Sequence, residues 1–344
     1  MNKRVLITGG AGFIAHTLIH EILKTTDWDV VSLDRLDYSG NLNRLDDILN
    51  DLSKEQKQRL NIIFHDLKAE LNPQICAAIG DVDYILHLAA ASHVDRSITY
   101  PMEFVMDNVV GTCNVLNFAR EQQNLSRFIY FSTDEVFGPA PGGIKYAERD
   151  RYNSTNPYSA TKAGAEELCV AYENTYGVPI YITHTMNVFG NRQHPEKYIP
   201  STIRKVRDGE IVTIHSDATK SVAGSRHYIH TSDVSEAILF LLKLSDQGHI
   251  FENDFGGAKC PKFNVVGKEE VDNRQLAQSI AQHVGRELKY KMVDFHSARP
   301  GHDLRYAMSG EYMKQLGWEP VVSLNERIQQ VVEWTLENDR WLKV

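Results

Sequence analysis

The sequence has little cysteine, and the few cysteines that it has are far apart. Its 344 residues include four of them, at Cys76, Cys113, Cys169 and Cys260. There is no Cys-x-x-Cys pair and no cysteine and histidine cluster with zinc spacing. The histidines of 227–230 also lack the i,i+4 spacing and companion glutamate of a zinc-binding helix. We therefore expect reduced thiols in a cytoplasmic protein, and no metal.

An excess of positive charge and long apolar runs are also missing. Lysine and arginine number 37 against 45 aspartates and glutamates, which gives a net charge of −8. A mildly acidic protein is not built to coat nucleic acid or an anionic membrane. The apolar segment 5–7 is too short for a signal peptide, and no later run is long enough to cross a bilayer. Neither nucleic acid nor a membrane is therefore an expected partner.

The chain does contain a regular alternation of short apolar runs and helical segments. The apolar runs lack polar alternation, as expected for strands that are covered on both faces. They lie at 5–7, 30–33, 61–64, 84–86, 128–131 and 180–182. Helical spacing marks segments between them, such as 101–123 and 160–176. This order predicts an α/β fold with a Rossmann-type doubly wound parallel sheet.

Beyond residue 188 the pattern becomes irregular, although a strand at 263–266 and helices can still be read. No linker rich in proline, serine or glycine divides the chain. We therefore expect a smaller, interleaved C-terminal substrate-binding lobe. The predicted Rossmann-type domain is 1–187 with about 232–258, and the predicted smaller domain is 188–231 with 259–344.

A glycine-rich turn at 8–15 separates the first strand from the first helix. Glycines permit a tight turn and let backbone N–H groups approach a pyrophosphate at the helix amino terminus. The residues predicted to line this contact are Gly9, Gly12, Phe13 and Ile14. The usual third glycine is replaced by Ala15, which is still small enough for close helix–strand packing. The strand–turn–helix context favours a dinucleotide site over a simple turn.

The end of the second strand bears on which dinucleotide is bound. Asp34 lies where an acidic side chain holds the adenosine ribose hydroxyls, and it would repel a 2′-phosphate. This favours NAD over NADP, although Arg35 follows directly. After the third strand, Asp66 and Leu67 are interpreted as adenine contacts, with an ordinary loop aspartate as the alternative.

Two small residues, Ala89 and Ala90, follow the fourth strand. They are interpreted as lying against the cofactor, with a buried strand end as the alternative.

A tyrosine and a lysine one helical turn apart, Tyr158 and Lys162, form a candidate catalytic pair. Tyrosine is a poor base because its reference pKa is about 10. The lysine charge, together with that of the nicotinamide, favours the phenolate. Tyr158 could then take a proton from a sugar hydroxyl while hydride leaves the same carbon, and Thr133 would orient that hydroxyl.

Two adjacent carboxylates, Asp134 and Glu135, follow the fifth strand at its carboxyl end. Ligands bind at this edge of open parallel sheets. Oxidation of one sugar carbon acidifies the hydrogen on the next, so one carboxylate can remove that proton while a carboxylic acid protonates the departing hydroxyl. A solvated acidic pair is the alternative, but the neighbouring Thr133 favours chemistry.

These motifs together resemble the extended short-chain dehydrogenase/reductases and, within them, the dTDP-glucose 4,6-dehydratase type of nucleotide-sugar dehydratase. The resemblance covers nearly the whole chain. It is carried by segments 8–15, 33–41, 92–97, 132–138, 158–162, 195–197 and 299–303, and by Asn108 with Gly111 and Thr112. Thr133-Asp134-Glu135 and 299–303 are the most discriminating.

The resemblance implies a three-step reaction with NAD. Tyr158 and NAD oxidise C4 of the glucosyl unit, Glu135 removes the C5 proton, and Asp134 protonates the C6 hydroxyl so that water leaves. Hydride then returns to C6. The product is a nucleotide-linked 4-keto-6-deoxyglucose, from dTDP-glucose first and UDP-glucose next.

The resemblance also implies contacts outside the reacting groups. Asn108 belongs to the cofactor site. Asn187 and Arg226 lie on the diphosphate side, and Glu196, Lys197 and Arg299 lie near the nucleotide. Ser92, His93 and His302 complete the predicted substrate contacts. The family implies a homodimer through 101–123 and 160–176. Ala91 and the residues around Asn187 depart from the family pattern. These departures concern the identity of the nucleotide base and of the sugar more than the type of reaction.

Two alternatives remain open. An NAD-dependent nucleotide-sugar epimerase or decarboxylase would keep the C4 oxidation and need no acid at Asp134. A non-catalytic NAD-binding regulator would use the same fold, but such proteins usually lose the tyrosine or lysine, and Thr133, Tyr158 and Lys162 are all present.

Overall fold

The computed structural model of the protein describes residues 2–249, 251, 260–294 and 305–343. The chain divides into two compact units. The first comprises Met1–Val136, Asn156–His184 and Ser235–Phe263, and the second comprises Phe137–Thr155, Thr185–Val234 and Asn264–Val344. Two predicted substrate contacts, Arg299 and His302, lie outside the described residues.

The core of the first unit is built on parallel strands. The strands of this sheet are β1 Arg4–Thr8, β2 Asp29–Asp34, β3 Leu60–Phe64, β4 Tyr84–His87, β5 Arg127–Thr133, β6 Ile180–Thr185 and β11 Lys262–Val265. The described residues give a seven-stranded order β11-β6-β5-β4-β1-β2-β3. Parallel pairing joins β1 to β2 and β4, β2 to β3, and β4 to β5. The predicted Rossmann-type doubly wound sheet is confirmed.

Side chains from the strands and the surrounding helices form the core of this unit. Leu6 lies in register with Val31 on one side and Ile85 on the other, and all three are fully buried. The helices are α1 Ala15–Thr25, α2 Leu42–Leu49, α3 Lys54–Gln58, α4 Pro73–Ile79, α5 Val94–Thr99, α6 Pro101–Phe104, α7 Gly111–Arg120, α8 Pro157–Tyr176 and most of α10 Thr231–Asp246. Within the described residues, no helix has both the length and the apolar character to cross a membrane.

Helix α8, which carries the tyrosine and the lysine, begins three residues earlier than its apolar spacing predicts. Asn156 caps it in a reciprocal arrangement with Ser159, and Pro157 occupies its first turn. Both features stabilise helix starts, since the cap satisfies free N–H groups and proline has none to satisfy. The helix ends at Gly177, whose φ of 72° suits a left-handed C-cap.

The predicted single helix over 101–123 is interrupted. Between α6 and α7 the chain forms a π-helix, Val105–Val110. The wider turn places Asn108 so that its side chain bonds to Ala91 and Thr161. Such turns are costly in isolation and frequently occur at functional sites. Hydrophobic periodicity does not predict this π-helix, because the π-helix depends on contacts with distant segments.

The second unit combines short strand pairs with helices. Its strands are β7 Val188–Phe189, β8 Val212–Ser216, β9 Ser225–His227, β10 Ile229–His230, β12 Glu270–Asp272 and β13 Tyr290–Asp294. They pair as β10 with β7, β12 with β9, and β13 with β8. The helices are α9 Tyr198–Asp208, α11 Asn273–Val284, α12 Glu311–Gln315 and α13 Leu324–Glu337. Their apolar faces form a shared core that includes Ile203, Ile280 and Val332.

Two segments lie elsewhere than the sequence suggests. Segment 137–155 belongs to the second unit, because Tyr146 donates its N–H to the Ala307 carbonyl at 3.0 Å and accepts one from Ser309 at 2.8 Å. The strand expected in the C-terminal lobe, β11, extends the main sheet, where Ile182 donates to the Pro261 carbonyl at 2.9 Å. The domain boundaries drawn from the sequence stay a prediction.

Candidate active site

The glycine-rich turn lies against the loop that follows β4. Gly9 has φ 71°, and a Cβ at this position would lie 2.9 Å from Ala89 Cα. Its N–H donates to the Leu33 carbonyl at 2.7 Å, and the Gly12 N–H donates back to the Gly9 carbonyl at 2.8 Å. Only glycine fits both the conformation and the close approach at Gly9. The structure thus brings together Gly9, Gly12 and Ala89, which were predicted separately.

The remaining predicted residues of these two loops are partly buried. Phe13 and Ile14 close the turn before α1, and Ala90 follows Ala89. Thr8 supports the contact between the loops, since its hydroxyl accepts the Ala89 N–H at 3.1 Å. The open edge formed by these backbones fits a dinucleotide pyrophosphate.

Asp34 ends β2 directly beside the glycine-rich turn. Its Oδ2 accepts the Ala11 N–H at 3.0 Å and its Oδ1 accepts the Leu36 N–H at 2.8 Å. Gly40 passes so close that a Cβ there would lie 2.9 Å from Asp34 Oδ1. The carboxylate is therefore held in place where ribose hydroxyls bind in this fold. The Asp34 carboxylate, which accepts hydrogen bonds, fits the ribose hydroxyls of the adenosine half of NAD.

Two charged residues near this site were missed by sequence reasoning. Arg44 is buried, and its Nη1 donates to the carbonyls of Ala11 at 3.1 Å and Ser39 at 2.6 Å. Burial lowers the pKa of Arg44 to about 10, against the opposing effect of Asp34. Asp107, on the π-helix, accepts two hydrogen bonds from Arg35. Neither belongs to a motif, so no sequence signal identifies them.

Predicted residues on the far side of the cofactor loop serve first as structural contacts. The Asn108 side chain accepts the Ala91 N–H at 2.8 Å and donates to the Ala91 carbonyl at 3.0 Å. It also donates to Thr161 Oγ1 at 3.0 Å, which ties this loop to α8. Leu67 is buried, and its carbonyl accepts from Asn114 at 2.8 Å. Direct contact of Asn108 and Leu67 with the cofactor stays a prediction.

The five predicted catalytic residues come from three elements of the first unit. Thr133 ends β5, Asp134 and Glu135 open a 3-10 turn, and Tyr158 and Lys162 lie on α8. Thr133, Asp134, Tyr158 and Lys162 are all less than a tenth exposed. The Thr133 hydroxyl donates to Asp134 Oδ1 at 3.1 Å and accepts the Glu135 N–H at 3.4 Å. The threonine hydroxyl therefore contacts the Asp134 carboxylate and the Glu135 backbone.

Asn156 is a further residue of this site that the motifs did not reveal. Its Nδ2 donates to Glu135 Oε2 at 3.0 Å, while its side-chain oxygen caps α8. One side chain thus fixes both the start of α8 and the direction of the Glu135 carboxylate. A sequence signal did exist, because asparagine before proline is typical of a helix cap, but that signal says nothing about Glu135.

Burial and a nearby carboxylate dominate the electrostatics of the tyrosine. In the chain alone, burial raises the pKa of Tyr158, Glu135 raises it next, and the hydrogen bond with Thr133 opposes them. Lys162 donates to the Phe131 carbonyl at 2.6 Å and lies 4.2 Å from the Tyr130 ring centroid. Desolvation and carboxylate charge thus outweigh the hydrogen bond with Thr133, and the expected effect of Lys162 together with the nicotinamide stays a prediction.

Lysine 162 itself is affected by the same burial. Its pKa falls from 10.5 to about 8, because burial disfavours the ammonium, while Glu166 and Cys169 oppose the change. Glu166 lies one helical turn further along α8 and is fully buried. It accepts hydrogen bonds from Ser132, from His184 at 3.3 Å and from Lys262 at 3.3 Å. This network connects the residue before Thr133 with the helix that carries Lys162.

The predicted substrate contacts that the structure describes are spread over both units. In the first unit Ser92 is exposed, and the His93 ring accepts the Arg96 N–H at 3.4 Å. In the second unit Asn187 precedes β7, exposed Glu196 and Lys197 precede α9, and Arg226 lies in β9. The Arg226 guanidinium is 4.7 Å from the Tyr306 ring centroid. Their roles stay predictions.

Comparison with known proteins identifies the family of this chain. The family described as GDP-mannose 4,6 dehydratase matches residues 6–331. The low-salt glycan biosynthesis protein Agl12 of Haloferax volcanii is 36% identical over 97% of this chain and 99% of its own length. The dTDP-D-glucose 4,6-dehydratase of Mus musculus is 34% identical over 98% and 89%, respectively.

Solved structures give the same picture. DesIV, a dTDP-glucose 4,6-dehydratase of Streptomyces venezuelae crystallised with NAD, has a TM-score of 0.83 and 32% identity, with 99% of each chain covered. A UDP-galactose 4-epimerase, at 24% identity and a TM-score of 0.77, shares the fold. The predictions of an NAD cofactor and of a dehydratase are confirmed, and the chain belongs to the GDP-mannose 4,6 dehydratase family.

Proposed function

We propose that the chain converts an NDP-glucose to NDP-4-keto-6-deoxyglucose, with dTDP-glucose as the first candidate substrate and UDP-glucose as the second. The observation that carries this proposal is the pair Asp134 and Glu135, placed beside Thr133 at the carboxyl end of β5. An epimerase needs no second acid at this position. Several similar proteins are named dTDP-glucose 4,6-dehydratases, which favours that nucleotide.

Tyr158 acts as the base that starts the reaction. NAD, when bound, accepts hydride from C4, returns it to C6 and adds positive charge near the phenol. Tyr158 takes the proton of the C4 hydroxyl, and the Thr133 hydroxyl orients that oxygen. Burial of Tyr158 to 8% exposure keeps water from competing for the proton. The raised pKa of Tyr158 in the chain alone means that the base form depends on the bound positive charge.

The two carboxylates divide the elimination between them. Glu135 removes the C5 proton, which the C4 ketone has made acidic, and Asp134 gives a proton to the C6 hydroxyl as it leaves as water. Asn156 holds Glu135 at 3.0 Å and Thr133 holds Asp134 at 3.1 Å, so both oxygens are oriented before substrate arrives. General acid–base catalysis of this kind contributes roughly 10²- to 10⁴-fold each.

Product mass separates this function from its alternatives. The protein is incubated with dTDP-glucose and, in parallel, with UDP-, CDP- and GDP-sugars, and the products are analysed by mass spectrometry. Loss of one water from dTDP-glucose is the expected result. An isobaric product would instead establish an epimerase, loss of carbon dioxide from a uronic acid a decarboxylase, and no change with any sugar would support the regulator.

Two variants test the residue roles. With Asp134→Asn, oxidation continues while water loss stops, so reduced cofactor accumulates and is seen by its near-ultraviolet absorbance. With Glu135→Gln, solvent deuterium is no longer incorporated at C5. Asp51→Asn, on the exposed surface of the same unit, is the matched control and should behave as the wild type. If Asp134→Asn still eliminated water at the normal rate, Asp134 would not be the acid that we propose.

We also propose a cytoplasmic homodimer that associates through the α6–α7 segment and α8. Support comes from large apolar side chains exposed on these elements and on the neighbouring α5 of the first unit. The most exposed are Met102 at 67%, Tyr100 and Tyr176 at 53%, Ile98 at 43% and Met106 at 38%. Light scattering at micromolar concentration should give twice the chain mass of 39.1 kDa. Met102→Lys with Tyr176→Lys should give the monomer mass, and a wild-type monomer would refute the proposal.

A further inference from the structure

The cation that follows Asp34 in the chain is Arg35, and its side chain has a bearing on the choice of cofactor. In this fold an arginine near the acidic residue of β2 can accommodate the 2′-phosphate of NADP. Arg35 follows Asp34 directly, and Asp34 lies beside the glycine-rich turn. The sequence therefore leaves open whether Arg35 recruits NADP. The contacts of the Arg35 guanidinium decide this question.

Three carboxylates surround the Arg35 guanidinium. Asp107 binds it through both oxygens, at 2.5 Å from Nη1 and 2.8 Å from Nη2. Asp37 accepts from Nε at 2.9 Å and also from Nη2. Asp66 accepts from Nη1 at 3.3 Å. Bidentate pairing of this kind matches the planar fork of arginine and is the strong form of a charge-assisted hydrogen bond.

The low exposure of Asp107 stabilises its ion pair with Arg35. Its side chain is only 10% exposed, and that of Arg35 is 27% exposed, so the pair is partly shielded from solvent. Asp107 is held by the π-helix, the same turn in which Asn108 bonds to Ala91 and Thr161. Moving Arg35 toward a phosphate would therefore leave a largely buried carboxylate without its cation, which is costly.

Two further cations of this edge, Arg44 and Lys68, are engaged as well. Arg44 donates to the carbonyls of Ala11 and Ser39. Lys68 lies 3.4 Å from Asp66 Oδ2. A 2′-phosphate placed beside Asp34 would thus meet carboxylates whose cations are already paired. It would carry up to two further negative charges into that environment.

We propose that Asp37 and Asp107, by holding Arg35, determine the preference of this chain for NAD over NADP. In this reading Asp34 binds the ribose hydroxyls, and the other two carboxylates keep the neighbouring arginine from binding a 2′-phosphate. The proposal goes beyond the sugar reaction, because it concerns cofactor binding alone and is tested without any sugar nucleotide.

The test measures binding of NAD+ and NADP+ to the full chain, freed of copurified nucleotide, by titration calorimetry. The variants are Asp37→Asn, Asp107→Asn and the double variant, which keep the side-chain shape while removing charge. Each removed carboxylate should strengthen NADP+ binding about fivefold, which is about 1 kcal/mol, because a guanidinium that is held less tightly can pair with the 2′-phosphate; the double variant should gain about 25-fold. NAD+ binding should change by less than about twofold, within the usual scatter of surface substitutions.

Further variants separate this reading from a nonspecific change of charge. Adding Arg35→Ala to the double variant should abolish the gain for NADP+, since the gain requires the released guanidinium. Asp51→Asn, which removes an exposed carboxylate paired with Lys24, should leave both affinities unchanged. In the wild type, raising the salt concentration should narrow the gap between the two cofactors, because the repulsion is screened.

Two results would overturn the proposal. One is a double variant that binds NAD+ normally and binds NADP+ no better than the wild type does. The other is a gain for NADP+ that survives Arg35→Ala. If the double variant does not fold, the NADP+ affinity of Asp37→Asn alone tests the proposal. Asp37 is 40% exposed, so its replacement should disturb the fold little.

Discussion

Glu166 is predicted to supply a pH-dependent part of the stability of the first unit. It is fully buried and accepts hydrogen bonds from Ser132, His184 and Lys262. Burial by itself would raise its pKa, but the charges of His184 and Lys262 and the hydrogen bonds prevail and lower it from 4.5 to about 2. The folded state therefore favours the carboxylate. Its contribution is complete above about pH 4.5 and is lost as the pH falls toward about 2.

The magnitude follows from the gap between the two pKa values. At about 1.4 kcal/mol for each pH unit, the gap from 4.5 to about 2 amounts to about 3 kcal/mol. This agrees with the roughly 3–5 kcal/mol lost when one partner of a buried ion pair is removed. Glu166→Gln should thus lower the free energy of unfolding by about 3 kcal/mol at pH 7, measured by urea denaturation. The difference from wild type should shrink steadily between about pH 4.5 and 2.

The neighbouring Glu167 offers a matched control. It lies on the same helix but is exposed, so Glu167→Gln should change the free energy of unfolding by less than about 0.5 kcal/mol. A deficit in Glu166→Gln that stays constant from pH 7 to pH 2 would refute the reasoning, because it would show lost packing and not lost charge. Equal effects of Glu166→Gln and Glu167→Gln would refute it as well.

Three further predictions concern the active site and the cofactor turn. Tyr158→Phe should lower kcat by about 10³-fold in the water-loss assay while NAD binding, followed by titration calorimetry, stays intact. Asn156→Ala should lower kcat about 10- to 100-fold with KM nearly unchanged, because Glu135 loses its 3.0 Å partner; a change in KM alone would contradict this role. Gly9→Ala should cost about 1–3 kcal/mol of stability and weaken NAD binding, because φ is positive and Ala89 is 2.9 Å away; an unchanged melting temperature would contradict it.

The parts of the fold that sequence predicts best are those set by neighbouring residues. The glycine-rich turn is one example, since its glycines are needed for a local conformation and a single close contact. The start of α8 is another, because Asn156 and Pro157 are adjacent and act within one turn. The strands of the main sheet were also identified, since continuous apolar runs are typical of strands buried on both faces.

The parts that sequence does not predict depend on contacts between distant segments. The π-helix at Val105–Val110 orients Asn108 toward Ala91 and Thr161, residues 17 and 53 positions away. Asp107 meets Arg35 across 72 positions. Local propensity does not predict such pairings, because the residues involved are common in helices and loops.

Motif reasoning predicts the reacting groups of the candidate site but not their charge states. Tyr-x-x-x-Lys correctly places Tyr158 and Lys162 one turn apart, yet burial and Glu135 raise the pKa of that tyrosine, and burial lowers the pKa of the lysine. These effects arise from burial and from a carboxylate in the turn after β5, which spacing along α8 cannot report. Spacing therefore predicts which groups lie together, whereas their protonation depends on burial and on neighbouring charges.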